Sequence, residues 1–256
     1  MVLVDSHCHL DAPEFDTDRN AVMQRARAAG VVRQIVPAID SAGWAKLKDI
    51  SASNDGIFPA YGLHPMFLSR HLPQHLTQLG DWLARETPVA VGECGLDYFI
   101  EGLDQEQQHL YFTGQRALAR EFDLPVIVHA RRAVDAVIAA VKRVGGLRGV
   151  IHSFSGSTEQ ARQLWNLGFL LGIGGPVTYE RANRLRGLVA EMPMEFLLLE
   201  TDAPDQPDAE HRGERNEPGL LTVVCETVAT LRGVHADEIA AATTSNAQRL
   251  FSLPAL

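Results

Sequence analysis

Residues 3–11 read LVDSHCHLD, a short apolar run that ends on two histidines, His7 and His9. Four later apolar runs also end on acidic or imidazole residues. They read VAVGECGLD, LPVIVHARR, GVIHSFSG and LLLETDAP, and the residues are Glu93, His129, His152 and Asp202. One such ending carries little information. Five of them, spaced along the chain like successive strands, predict a metal site whose ligands come from several strands.

Strand-like and helix-like segments alternate along the chain. The predicted strands are rich in Val, Ile and Leu, as strands buried on both faces tend to be. They cover residues 2–6, 32–39, 57–61, 89–92, 126–128, 150–151, 169–173 and 196–199. Amphipathic segments predict helices at residues 21–29, 105–122, 159–167, 180–190, 220–231 and 236–242. This alternation predicts an α/β fold, a (β/α)8 TIM barrel formed by residues 1–256 as a single domain.

A doubly wound open sheet is the alternative fold. The candidate ligands follow the first, fourth, fifth, sixth and eighth predicted strands, always at the C-terminal end. In an open sheet the outer strands lie far apart, whereas in a closed barrel all eight strand ends ring one mouth. Because a metal site needs these side chains to converge, the barrel is favoured.

Composition limits the possible partners. The chain has 256 residues, a net charge of -9 and three cysteines, an odd number that predicts a reducing compartment without structural disulfides. No apolar run approaches the length of a membrane span, so we expect a soluble, cytoplasmic protein with no membrane partner and no obligate protein partner. A protein that holds long nucleic acid usually carries a basic face. A DNA substrate would therefore bind locally at the barrel mouth, where metals and a few arginines supply positive charge.

The donor atoms indicate which metals fit. On a strand His7 and His9 point the same way, while Cys8 points to the opposite face and is expected to pack against a helix. Imidazole nitrogens and carboxylate oxygens suit Zn²⁺, Mn²⁺ or similar ions. Six candidate ligands exceed what one four-coordinate ion with an open position uses, so we expect two divalent ions (Zn, Mn, Mg or similar), with Glu93 as the bridge. The alternative for Glu93 is a buried acid satisfied by backbone amides.

The expected chemistry is hydrolysis. A divalent ion lowers the pKa of bound water from about 15.7 to about 7, which corresponds to about 12 kcal/mol. General base catalysis alone typically gives about 10²–10⁴-fold, so the metals should dominate. Asp202 would bind one ion and orient the water or accept its proton, and the second ion would polarise the scissile oxygen. Asp202 and Glu93 are therefore the predicted catalytic residues.

Candidate substrate contacts lie near these strand ends. Arg131 follows His129 by two residues and could grip an anionic group, or it could pair with Asp135 on the next helix. His64 ends the third predicted strand and either reaches the mouth or packs as an ordinary imidazole. Asp97 could pair with Arg131 or contact substrate.

A polar segment, residues 203–219, follows the last predicted strand and would overhang the mouth. Arg215 and Asn216 lie in it and are further candidates for contact with a phosphate group. The alternative is that these loop residues are simply solvated.

At these residues the chain resembles the TatD family of metal-dependent hydrolases, a branch of the amidohydrolase superfamily. The resemblance spans the chain and includes VDSHCHLD, GECGLDY, LPVIVHARRAVDAV, IHSFSG, LLLETDAP and RNEP. It implies a TIM barrel with a two-metal centre and a phosphodiesterase activity, with members acting as deoxyribonucleases. It also implies two ligand sets that share Glu93: His7, His9, Glu93 and Asp202 for one ion, and Glu93, His129 and His152 for the other.

One departure from the family pattern concerns the substrate. The segment between Asp202 and Asn216 is long and acidic and would repel an approaching polyanion. Three hypotheses follow: a phosphodiesterase acting on DNA, in single-stranded form or from an end; an amidohydrolase or esterase acting on a small molecule; and a non-catalytic protein with a structural metal. The first is the one that we favour.

Overall fold

Eight parallel strands follow one another around a barrel within residues 1–255, which are those described by the computed structural model. They are β1 (Leu3–Asp5), β2 (Val31–Pro37), β3 (Ile57–Tyr61), β4 (Ala90–Asp97), β5 (Val126–Arg131), β6 (Gly149–Ile151), β7 (Phe169–Ile173) and β8 (Leu197–Leu199). Each strand pairs in parallel with its neighbour in sequence, in the order β1 to β8. A doubly wound sheet would reverse its order partway, so the predicted (β/α)8 barrel is confirmed.

Helices wrap the outside of this barrel. They are α1 (Arg19–Ala28), α2 (Trp44–Ala52), α3 (His75–Glu86), α4 (Gln105–Glu121), α5 (Val134–Val144), α6 (Thr158–Asn166), α7 (Asn183–Glu191), α8 (Leu221–Arg232) and α9 (Ala236–Phe251). Within residues 1–255, none of them combines the length and the apolar character that a membrane crossing requires.

The last helix is longer than the sequence predicts. The expected end at residue 242 is wrong, because α9 continues through a polar TTSN run. Three of its four side chains, all but the exposed Ser245, are buried and hydrogen-bonded. Thr244 Oγ1 donates to Val2 O at 3.0 Å, and Asn246 Nδ2 donates to Leu197 O at 2.9 Å. Tertiary hydrogen bonds thus keep helical a segment whose composition suggests a break.

One apolar side chain from each strand fills the barrel interior. These eight are Val4, Ile35, Ala60, Ala90, Ile127, Val150, Leu170 and Leu198. Leu250 and Phe251, at the end of α9, pack on the same cluster and close the N-terminal end of the barrel. The C-terminal end therefore remains the open mouth, where barrel enzymes carry their chemistry.

Hydrogen bonds just beyond β1 and β8 close the ring. The Ser6 N–H donates to Leu199 O at 3.0 Å, and the Asp202 N–H donates to His7 O at 2.9 Å. The buried Asp5 carboxylate accepts the N–H and the hydroxyl of Thr201 at 3.0 and 2.6 Å. This seam holds the segment that carries His7 beside the segment that carries Asp202.

Candidate metal centre

The carboxylate of Glu93 lies at the centre of the mouth, surrounded by five imidazoles. Its two oxygens face different groups. Oε2 lies 3.2 Å from His7 Nε2 and 3.5 Å from His9 Nε2. Oε1 lies 2.7 Å from His64 Nε2, 3.2 Å from His129 Nδ1 and 2.8 Å from His152 Nε2. The structure thus brings together the predicted ligands and adds His64 to the second group.

Asp202 completes the first group. Its Oδ1 lies 3.4 Å from His7 Nε2 and 3.6 Å from His9 Nε2, and these two nitrogens are 3.2 Å apart. The ligand atoms of His7, His9 and Asp202 all lie within 4.8 Å of one another, a spacing that can hold a metal ion.

Strand geometry explains part of this convergence. Ile127 and Val150 point into the barrel, so His129 and His152, two residues further on, point the same way. Glu93 and the His7–His9 pair do not follow this rule. Glu93 lies three residues after the inward-facing Ala90, and His7 lies three residues after the inward-facing Val4, beyond the end of β1 at Asp5. The pairing of β4 with β5 shifts register between Val91 and Cys94, and this irregularity turns Glu93 into the mouth.

The electrostatics of the cluster favour a bound cation. Burial alone would raise the pKa of Glu93, but the imidazoles of His152, His64 and His7 hold it well below its usual range. Burial lowers the pKa of His7 to about 4, which leaves its ring neutral with a free lone pair. Both Glu93 oxygens are buried without a hydrogen bond of good geometry, despite the short nitrogen contacts. An ionised carboxylate surrounded by imidazole nitrogens is a donor set that suits Zn²⁺, Mn²⁺ or a similar ion.

Asp97 has a different role from the predicted substrate contact. Its Oδ2 lies 2.8 Å from His129 Nε2, and its Oδ1 accepts the N–H groups of Phe99 and Ile100 at 2.8 and 3.0 Å. The side chain is fully buried, so that expectation is wrong. Asp97 instead fixes the His129 ring with Nδ1 turned towards Glu93, as partners of metal-binding histidines commonly do.

Glu200 was missed by the sequence analysis. It lies behind His152, with Oε1 4.0 Å from His152 Nδ1, and it accepts the Ser153 N–H. Burial raises its pKa to about 8. A Cβ at Gly172 would overlap Glu200 Oε2, which explains why only glycine fits there. Since Glu200 precedes Asp202 by two residues, the same strand alternation could have placed it inside the barrel.

Gln206 was also missed. Its amide nitrogen donates to Asp202 Oδ2, and its amide oxygen accepts the Ser153 hydroxyl at 2.8 Å. Arg132, Ser153, Asp202 and Gln206 all have positive φ angles, although none is glycine. Such backbone costs about 1–3 kcal/mol per residue and concentrates at functional sites.

The cluster opens into a cavity of about 1010 Å³ at the mouth. Arg131 and His64 line this cavity, as expected. Arg131 does not form the alternative ion pair with Asp135, because the Asp135 carboxylate accepts a hydrogen bond from the Gln160 amide at 2.8 Å.

The structure does not bring Arg215 or Asn216 into this cavity, so their expected contact with substrate is wrong. Arg215 is bidentate to Asp18 at 2.9 and 2.7 Å. Asn216 is buried and donates to Thr201 O at 2.9 Å and to Asp205 O at 2.8 Å, which ties the overhanging loop to the seam.

Cys8 lies away from the cluster, within the apolar layer between strands and helices, and is fully buried. We therefore expect Cys8→Ser to keep the wild-type metal content and most of the activity. Its stability should fall by about 1–3 kcal/mol, because a hydroxyl enters an apolar environment. Metal analysis and urea denaturation measure the two effects, and loss of an ion from this variant would contradict the geometry.

Comparisons with known proteins identify the family of this chain. The family model described as TatD related DNase matches residues 4–252. An uncharacterized metal-dependent hydrolase of Escherichia coli K12, YjjV, is 41% identical over 98% of each chain. The crystal structure of that TatD homologue superposes with a TM-score of 0.95 at 40% identity, covering 98% of each chain. The human deoxyribonuclease TATDN3 is 30% identical over 97% of this chain and 94% of its own. The chain therefore belongs to the TatD family of metal-dependent hydrolases.

Proposed function

We propose that this protein is a phosphodiesterase that cleaves DNA, either single-stranded or at a strand end, with two divalent ions at the barrel mouth. One observation carries the proposal: the two oxygens of Glu93 face two separate groups of donors. A carboxylate in that position can bridge two cations, the arrangement that many phosphodiesterases use.

The ligands divide accordingly. His7, His9, Glu93 Oε2 and Asp202 would hold one ion, and Glu93 Oε1, His129 and His152 would hold the other, leaving His64 for substrate. The ions, when bound, would ionise water near neutral pH and polarise the phosphoryl group.

The protein's own side chains then have distinct roles. Asp202 is ionised, because a hydrogen bond from His9 and the neighbouring imidazoles outweigh the effect of burial on its pKa, so it can accept a proton from the attacking water. Gln206 holds the second oxygen of that carboxylate. His64 accepts the Met66 N–H at Nδ1, so its neutral ring carries the proton on Nε2, which lies 2.7 Å from Glu93 Oε1. Once Glu93 binds an ion, that proton would be available to a phosphate oxygen at the wall of the cavity.

A small-molecule ester or amide is the second candidate substrate, and the charge of the mouth favours it. Asp11, Glu14, Asp40 and Asp205 line the cavity. Of the lining cations, Lys46 pairs with Asp16 and Arg70 pairs with Asp40. A polyanion meets this side of the mouth at an electrostatic cost, whereas a neutral ester or lactone does not.

Hydrolysis of three substrates tests the proposal: a single-stranded oligonucleotide, bis(p-nitrophenyl) phosphate and a lactone. We expect the metal-loaded protein to cleave both phosphodiesters and to lose this activity in EDTA. Cleavage of DNA that persists without metal would contradict the mechanism. Hydrolysis of the lactone, with neither diester cleaved, would favour the second candidate.

A further inference from the structure

The side of the mouth formed by the loops after β4 and β5 differs from the acidic side. We define the β4–β5 rim as Phe99, Arg131 and Arg132. Phe99 is an exposed aromatic residue, with 42% of its surface accessible. The guanidinium carbons of Arg131 and Arg132 lie 3.6 and 4.7 Å from the centre of its ring.

Both rim arginines are free to bind anions. Within residues 1–255 neither forms a salt bridge, unlike Lys46 and Arg70 on the cavity wall. Arg131 also lines the cavity that contains Glu93, so the rim is continuous with the metal centre. The rim therefore offers two unpaired guanidinium groups where a phosphate chain can leave the site.

Among the residues that line the cavity, the charged side chains are distributed one-sidedly. The acidic residues Asp205, Asp11, Glu14 and Asp40 follow β8, β1 and β2. Because the strands are ordered consecutively around the barrel, β4 and β5 lie opposite β8 and β1. A bound polyanion is therefore directed towards the rim and away from the acidic loops.

The rim is also fixed relative to the metal centre. The Asp97 carboxylate accepts the N–H groups of Phe99 and Ile100 through one oxygen and contacts His129 through the other. One buried side chain thus positions both a candidate ligand and the exposed aromatic ring.

We propose that the β4–β5 rim is a binding subsite for single-stranded DNA, an inference that rests on the proposed function. Arg131 and Arg132 bind phosphates beside the scissile bond, and an unpaired base stacks on the exposed part of Phe99. Guanidinium groups suit phosphate, and aromatic rings bind bases that are not stacked in a duplex. The rim thus explains how an acidic protein can accept a polyanion.

The test compares a single-stranded oligonucleotide with bis(p-nitrophenyl) phosphate, which carries one phosphate and has no neighbouring nucleotide for the rim to bind. For Phe99→Leu we expect the ratio of the two kcat/KM values, DNA over small diester, to fall by about 5- to 150-fold. Phe99→Trp should keep the wild-type ratio, since it retains an aromatic ring. Arg132→Gln should lower the ratio and reduce the slope of log KM against log salt for DNA by about 0.7.

Arg143→Gln is the matched control. This exposed arginine lies in the last turn of α5, at the opposite end of the barrel, and its replacement removes the same charge. We expect neither the ratio nor the salt slope to change. If the wild-type protein cleaves DNA but the rim variants behave like this control, the inference about the rim is wrong and the proposed function is unaffected. A wild-type protein that hydrolyses the small diester but no DNA would overturn both.

Discussion

Asp202→Asn is expected to lower kcat/KM for phosphodiester hydrolysis by about 10³-fold or more while the fold stays intact. The carboxylate contacts His7 and His9, and it is ionised despite its burial. Asparagine keeps the shape but offers one neutral oxygen, so it can neither take up a proton nor balance a cation's charge. Steady-state kinetics measure the loss, and circular dichroism checks the fold.

Asp205→Asn provides the matched control for this prediction. Asp205 is exposed, lines the same cavity three residues later, and loses the same charge in this substitution. We expect it to retain activity on the small diester and to gain slightly on DNA, because one repulsive charge leaves the mouth. Similar losses of activity in both variants would mean that the net charge of the mouth, and not the Asp202 carboxylate itself, determines the rate. If Asp202→Asn were fully active, Asp202 would have no catalytic role, as expected for a metal that is only structural.

The barrel and most of the cluster are predictable from sequence because strand alternation and barrel closure are general rules. Apolar runs that end in His129, His152 and Asp202 specify both the direction of these side chains and the end of the barrel that they reach. The same rule applied to Glu200 would have found a buried acid that the sequence analysis overlooked. Glu93 was identified by its residue type, whereas its orientation depends on a register shift that no periodicity reveals.

Contacts made by loop residues could not be predicted from the sequence. Arg215 and Asn216 were expected at a phosphate, yet one is paired with Asp18 and the other holds the backbone of the overhanging loop. Gln206, in the same loop, reaches Asp202 although nothing in the sequence singles it out. Such contacts depend on the path of residues 203–217 across the mouth, which is set by tertiary hydrogen bonds and not by a repeating pattern.

Glu93→Gln is expected to weaken the binding of both ions by more than about 100-fold, since even residues outside the coordination sphere contribute about 10–100-fold. An amide has one neutral oxygen donor and cannot bridge two cations. The experiment titrates chelator-treated protein with Zn²⁺ or Mn²⁺ and measures bound ions per chain. It reports on the site independently of any substrate.

Two single-ligand variants make this prediction more specific, because each removes a histidine that faces one oxygen of Glu93. His9 faces Oε2 and His152 faces Oε1, so His9→Ala and His152→Ala should each lose one ion and retain the other. Glu93→Gln should lose both ions. A loss of one ion from each histidine variant and of two ions from Glu93→Gln is the result expected of a shared carboxylate. If Glu93→Gln kept one tightly bound ion, the carboxylate would belong to a single site and would not be a bridge. Thermal melting of the metal-free proteins separates loss of ligands from loss of fold.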